Sequence, residues 1–149
     1  MRGHVIPTDV RPDSLLPHRE SMLLIDEILT LDDSCAVTSS VVTGKWPLCD
    51  GRNANPIVLI ELAAQTSGIH NGFIREKKEG TAAGTRGWIV GIRQARFWVD
   101  ALPVGTRLVT RTENQMEFEG FRDIYGRVAI EGRMVAEIAL QLLRADHRT

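Results

Sequence analysis

Between Asn55 and Gln65 the chain reads NPIVLIELAAQ. Asn55 is a strong N-cap residue, and Pro56 suits the first helical position, where no backbone N–H is needed. Ile57, Val58, Leu59, Ile60, Leu62, Ala63 and Ala64 follow, interrupted once, by Glu61. A helix that is apolar on nearly every side belongs inside a molecule. The pattern predicts a helix running to about Phe73 or Ile74 and ended by the polar stretch REKKEGTAAGTR, 75–86. Gly68 and Gly72, one turn apart, leave room for another backbone to come close. A lone carboxylate in such a helix is costly to bury unless it is paired, protonated or used chemically. Glu61 is therefore the first candidate functional residue.

Strand signals flank this helix. SMLLIDEILTL, Ser21–Leu31, fits a strand or a short helix. CAVTSSVVT, Cys35–Thr43, is β-branched and reads as a strand. The loop GKWPLCDGRNAN, 44–55, is punctuated by Pro and Gly. From Gly87 onward the chain reads as a β-meander: GWIVGIRQARFWV, a turn around DALPVGT, TRLVTRTENQMEFE, RDIYGRVAIE and RMVAEIALQLL. Met134, Ala136, Ile138, Leu140 and Leu142 alternate strictly after Glu131-Gly132, which predicts a hairpin strand rather than a helix. One apolar helix against one antiparallel sheet is an α+β arrangement, with the helix wrapped by the sheet. Such an open sheet has edges, and pairing edge to edge in a dimer covers them.

A chain of 149 residues, 43% hydrophobic and 25% charged, is expected to form a single domain over 1–149. Its formal net charge of -1 argues against a general nucleic-acid binder. Cys35 and Cys49 have neither metal-ligand nor CxxC spacing, so no metal is expected; no cofactor is expected either. The opening MRGHVIPTDVRPDS lacks the apolar core of a signal peptide, and no stretch is long and apolar enough to span a bilayer. The expected setting is the cytoplasm, with no membrane partner.

Four stretches, in order, resemble one family. LLPHRESMLLIDEI (Leu15–Ile28) resembles the opening signature of FabZ-type 3-hydroxyacyl-ACP dehydratases. PIVLIELAAQTSG resembles their central helix, with its glutamate and, one turn on, its glutamine. GIRQARFWVDALPVGTRL resembles a later strand and its Pro-Gly turn, and IEGRMVAEIAL the closing hairpin. The ApeP type, from aryl-polyene pathways, is the variant it resembles most. The resemblance implies a hotdog fold, a long central helix wrapped by an antiparallel β-sheet. It also implies a homo-oligomer built from dimers and an acyl-phosphopantetheine thioester on ACP or CoA as substrate; a hetero-oligomer with a paralogue is a separate expectation, tied to the reading of an impaired partner subunit.

In that family the site lies at the dimer interface. Dehydration needs a base for the proton beside the thioester carbonyl, an acid for the departing 3-hydroxyl, and donors for the developing oxyanion. Glu61 falls on the family's catalytic carboxylate, and Gln65, on the same helical face, is placed to orient it. The family's oxyanion amide falls on Pro56, which has no N–H, leaving Ile57 or Val58 to supply a neighbouring one. The family's loop histidine is missing from GKWPLCDGRNANP; Asp50 and Cys49 are the loop residues with suitable chemistry, although a loop Asp is more often a turn former.

The four histidines do not replace it readily. His70 stands on the opposite side of the helix from Glu61. His18 lies in the L-P-H-R segment, where a structural hydrogen bond is the stronger expectation, and His4 and His147 lie near the ends. Trp98 and Val99 occupy the places of a basic pair that faces the carrier protein in the family. Arg19, Arg52, Arg86 and Arg93 are the remaining candidates for that contact. Four readings follow: a 3-hydroxyacyl-thioester dehydratase, an impaired partner subunit of an active one, a thioester hydrolase, and a non-enzymatic acyl-binding dimer.

Overall fold

Helix α1, Val58–Glu79, takes up 22 residues and lies against the sheet. The computed structural model describes residues 11–12, 22–79 and 87–144. His4, the L-P-H-R segment with His18 and Arg19, Arg86 and His147 lie outside these residues. The Ile57 amide donates to Asn55 Oδ1 at 3.0 Å, the N-cap bond expected of that asparagine.

The helix does not end at Ile74. It continues to Glu79, because Arg75, Glu76, Lys77 and Lys78 are all good helix formers. Lys77 and Lys78 also place positive charge in the last turn, where the helix dipole favours it. Lys77 Nζ reaches Asp33 Oδ1 at 2.7 Å and lies 5.4 Å from the centroid of the Phe73 ring, which ties that end to the turn after the first strand.

Among the described residues eight strands accompany the helix: β1 Glu27–Leu31, β2 Ala36–Val41, β3 Asn53–Ala54, β4 Gly87–Phe97, β5 Leu102–Pro103, β6 Arg107–Phe118, β7 Phe121–Ile130 and β8 Arg133–Arg144. Six of them form one sheet in the order β1-β2-β6-β7-β8-β4, and β3 pairs with β5. Neighbouring strands run antiparallel. The expected meander therefore holds only for β6-β7-β8. β4 lies at the far edge beside β8, because the chain between β4 and β6 is diverted through β5 to pair with β3 near the start of the helix. The β7–β8 hairpin turns at Glu131 and Gly132 with φ of 51° and 79°, the two left-handed residues that a tight primed turn requires.

The core lies between the helix and the inner face of the sheet. Val58, Leu59, Leu62, Ala63 and Ile69 bury against a cluster that includes Leu108, Ile124, Val128 and Ile138. Helix and sheet approach closely at Gly126, where an added Cβ would stand 3.3 Å from both Ala63 Cβ and Thr112 Cγ2. That missing methyl seats the helix, two residues on from Glu61, directly on β7. Hydroxyls of both elements share the layer: Thr38 Oγ1 of β2 and Thr66 Oγ1 of the helix are 2.9 Å apart.

His70 belongs to this buried layer, with 1% of its surface exposed. Its Nε2 bonds the Asp32 carbonyl at 3.0 Å, which requires the Nε2–H tautomer. Nδ1 is then a buried acceptor with no partner among the described residues. Burial lowers the histidine's proton affinity and Arg122 adds to this; the backbones of Asp32 and Asp33 and the charge of Asp32 oppose it. The native state thus binds fewer protons here than the unfolded chain does. Stability from this group is complete above the ordinary histidine value of 6.5 and is lost as pH falls through the lowered native value. Urea unfolding followed across that range is expected to show the loss, and His70→Gln is expected to remove this part of it.

Candidate active site

Three elements meet at Glu61. The first turn of α1 carries the carboxylate, the next turn brings Gln65 to it, and the stretch Met22–Leu24 before β1 bonds to Gln65. Glu61 is half-buried, whereas Gln65 is 1% exposed. Gln65 Nε2 donates to Glu61 Oε2 at 3.0 Å and to the Met22 carbonyl at 2.7 Å. Its Oε1 accepts from the Leu24 amide at 3.0 Å. Exposed apolar side chains stand nearby, Ile57 one turn before Glu61 in the chain and Met22 at the start of the stretch bonded to Gln65.

The amides at the start of the helix are engaged. Besides Ile57 with Asn55 Oδ1, the Val58 amide donates to the Asn55 carbonyl at 3.0 Å, Leu59 to Pro56 at 2.9 Å and Ile60 to Ile57 at 3.1 Å. This tight first turn absorbs the donors that a helix N-terminus usually leaves open. Ile57 and Val58 therefore have no spare N–H in this conformation.

Asp50 is occupied with its own turn. Its Oδ1 accepts from the amides of Arg52 and Asn53, each at 2.8 Å. The Asn53 and Arg52 bonds hold this exposed carboxyl below the usual carboxylate range. Cys49 is half-buried and its Sγ accepts from the Gly51 amide at 3.4 Å. In the same loop Trp46 is buried in the core, while Leu48 is 60% exposed with a φ of 61°. Trp98, 53% exposed, offers no cation at its position.

His70 is the one histidine among the described residues, and its ring is sequestered against Asp32, away from Glu61. Among the described residues no group of three or more His, Cys, Asp and Glu is arranged to hold a metal, and no helix is long and apolar enough to cross a membrane. The sequence reading brought Glu61 and Gln65 together correctly but passed over Met22 and Leu24. Their contribution comes from backbone atoms, which leave no signature in SMLLIDEILTL. A buried glutamine, with one acceptor and two donors to satisfy, was the available hint.

Comparison with known proteins bears on this arrangement. The family model described as ApeP-like, ApeP dehydratase, matches residues 10–149. The chain belongs to the ApeP-like dehydratase family. Its curated relatives include the 3-hydroxyacyl-[acyl-carrier-protein] dehydratase FabZ of Rhizobium etli (strain CIAT 652), 32% identical over 140 residues, 89% of this chain and 86% of the relative. FabZ of Agrobacterium fabrum is 33% identical over 129 residues, 83% of this chain and 80% of the relative. Among solved structures, the dehydratase heterocomplex ApeI:P from Xenorhabdus doucetiae superposes with a TM-score of 0.81 at 22% identity, covering 92% of each chain. A hypothetical thioesterase with coenzyme A from Streptococcus pneumoniae TIGR4 superposes at 0.60 with 17% identity, covering 92% of this chain and 93% of that one. At those identities the two structures establish the shared hotdog fold, the one the ApeP-like resemblance implied.

Proposed function

We propose that this ApeP-like chain acts on 3-hydroxyacyl thioesters in the cytoplasm, eliminating water to give the 2-enoyl thioester, with Glu61 as the acid. The observation that carries the reading is the Glu61–Gln65 pair, bonded at 3.0 Å in the first turns of the central helix of a dehydratase-family chain. In the elimination, the C2–H electron pair becomes the C2=C3 double bond as the C3–O bond breaks. Glu61 protonates the departing hydroxyl, which leaves as water, and a base accepts the C2 proton. The experiment is a direct assay on 3-hydroxybutyryl and longer thioesters, following the enoyl product, with free thiol measured in parallel. Thiol release without the enoyl product would instead indicate a thioester hydrolase.

The base is supplied across a subunit interface. Strand β4 is an edge, and Ile89, Val90 and Ile92 stand 40%, 47% and 52% exposed along it. An exposed apolar edge of this length is covered by pairing with another subunit. Ile92→Lys is expected to convert a dimer to monomers in sedimentation velocity while the circular dichroism spectrum is kept. An unchanged dimer would rule out this edge.

A second reading concerns which chain lies across that edge. The sequestered ring of His70 and the engaged amides of Ile57 and Val58 favour a partner that brings its own histidine and oxyanion donors. In that case the pure protein is slow, and mixing with a histidine-bearing paralogue restores turnover.

A further inference from the structure

Leu48 holds a backbone conformation that a bulky side chain rarely takes. Its φ is 61°, in the left-handed region, where Cβ crowds the following carbonyl. Among the described residues the other non-glycines with positive φ are Glu119 and Glu131. Each stands before a glycine in a two-residue hairpin turn that requires this conformation. Leu48 precedes a cysteine, and its conformation is imposed from both sides. On one side Trp46 is anchored in the core. On the other, the Leu48 carbonyl accepts from the Asn55 amide at 2.9 Å, Cys49 bridges to Ala54, and the Asp50 amide donates to the Asn53 carbonyl at 3.1 Å. A strained residue persists where its surroundings over-determine it, and such residues gather at ligand sites.

The strain does not serve the core, because Leu48 is 60% exposed. Glycine or asparagine would take the same φ at less cost. The leucine is held instead at the end of the helix that carries Glu61, since its partner across the loop, Asn55, is the N-cap. Ile57, one turn before Glu61, and Met22, whose carbonyl bonds to Gln65, are exposed as well. Loop, helix and the stretch before β1 thus each leave a large apolar residue exposed at the Glu61 end of the molecule.

We infer that Leu48 is a specificity-determining residue, an apolar wall for the tail of the acyl group that favours long chains over short ones. This rests on the chain acting on 3-hydroxyacyl thioesters. With C2 and C3 at Glu61, the part of the acyl group still to be housed is its hydrocarbon tail, which is stabilised by covering apolar surface. Asn55 and Glu61 are six residues apart, roughly 9 Å along a helix axis. An extended decanoyl tail spans that distance, whereas butyryl has a single carbon beyond C3 and stops short. The contact therefore discriminates by length.

The test uses Leu48→Asn in the full-length chain. Asparagine is close to leucine in size and tolerates the left-handed region, and no fully buried contact is lost, so the melting temperature is expected to hold or rise. Calorimetry with unreactive thioether analogues of 3-hydroxydecanoyl- and 3-hydroxybutyryl-pantetheine reads binding without turnover. The variant is expected to bind the decanoyl analogue about 10-fold more weakly, as loss of an apolar contact in a binding site does, and the butyryl analogue as wild type does. Equal weakening of both analogues, weakening of neither, or a wild-type protein that binds neither overturns the inference. So does a variant that falls to monomers in sedimentation velocity with its length preference unchanged, because Leu48 would then face the other subunit. If the decanoyl analogue binds wild type, is selectively weakened in the variant, and no enoyl product ever forms, the reading of Glu61 as the acid fails while the role of Leu48 stands.

Discussion

Glu61→Gln lowers the rate of enoyl-thioester formation by about 10²- to 10⁴-fold, the usual contribution of a positioned acid or base. The substitution is close to isosteric, and its effect on the fold is expected to be small. An amide oxygen at the place of Oε2 still accepts from Gln65 Nε2, and the Met22 and Leu24 bonds to Gln65 are untouched. The variant loses the ionisable proton while keeping the Gln65 contact, so kcat falls while the thermal melt and KM stay near wild type. Initial rates on one 3-hydroxyacyl thioester, measured beside a melting curve, check this. Equal rates for the two proteins would leave Glu61 a half-buried structural carboxylate.

Leu59→Ala is expected to have the opposite profile. Leu59 is fully buried, two residues before the catalytic candidate and in the core cluster between helix and sheet. Truncating it removes buried methyl groups and leaves a cavity that the surrounding close-packed side chains refill only in part. A Leu→Ala change at such a site destabilises by about 2–5 kcal/mol. For a domain whose whole stability is about 5–15 kcal/mol, that is a large share. The midpoint of urea unfolding should fall accordingly, while kcat measured well below the transition remains near wild type. A small shift would mean that the helix is seated less tightly than Gly126 and Ala63 indicate.

These two expectations also mark what sequence patterning could reveal. The start of the helix was legible because Asn55 and Pro56 are position-specific residues, and Asn55 does cap it. Its end was not. Arg75–Lys78 look like a polar connection, but they continue the helix because propensity and the terminal dipole both favour it. The β7–β8 hairpin was readable from strict alternation and Glu131-Gly132. The place of β4 at the far edge was not, since each strand's pattern is the same whichever neighbour it takes.

The site divides along similar lines. Glu61 and Gln65 were visible together because helical spacing brings residues one turn apart into contact. The engagement of the Ile57 and Val58 amides depends on how tightly the first turn winds, which the residues alone do not specify. Asp50 is held to its loop by Arg52 and Asn53, the turn-forming role most common for a loop aspartate.

The most direct measurement is the mass of a 3-hydroxyacyl thioester after incubation with the purified protein, alone and together with a histidine-bearing dehydratase subunit. Loss of one water with the thioester intact, dependent on Glu61 in at least one of those mixtures, is the predicted result. An unchanged substrate in both, or release of the free thiol, would contradict the account.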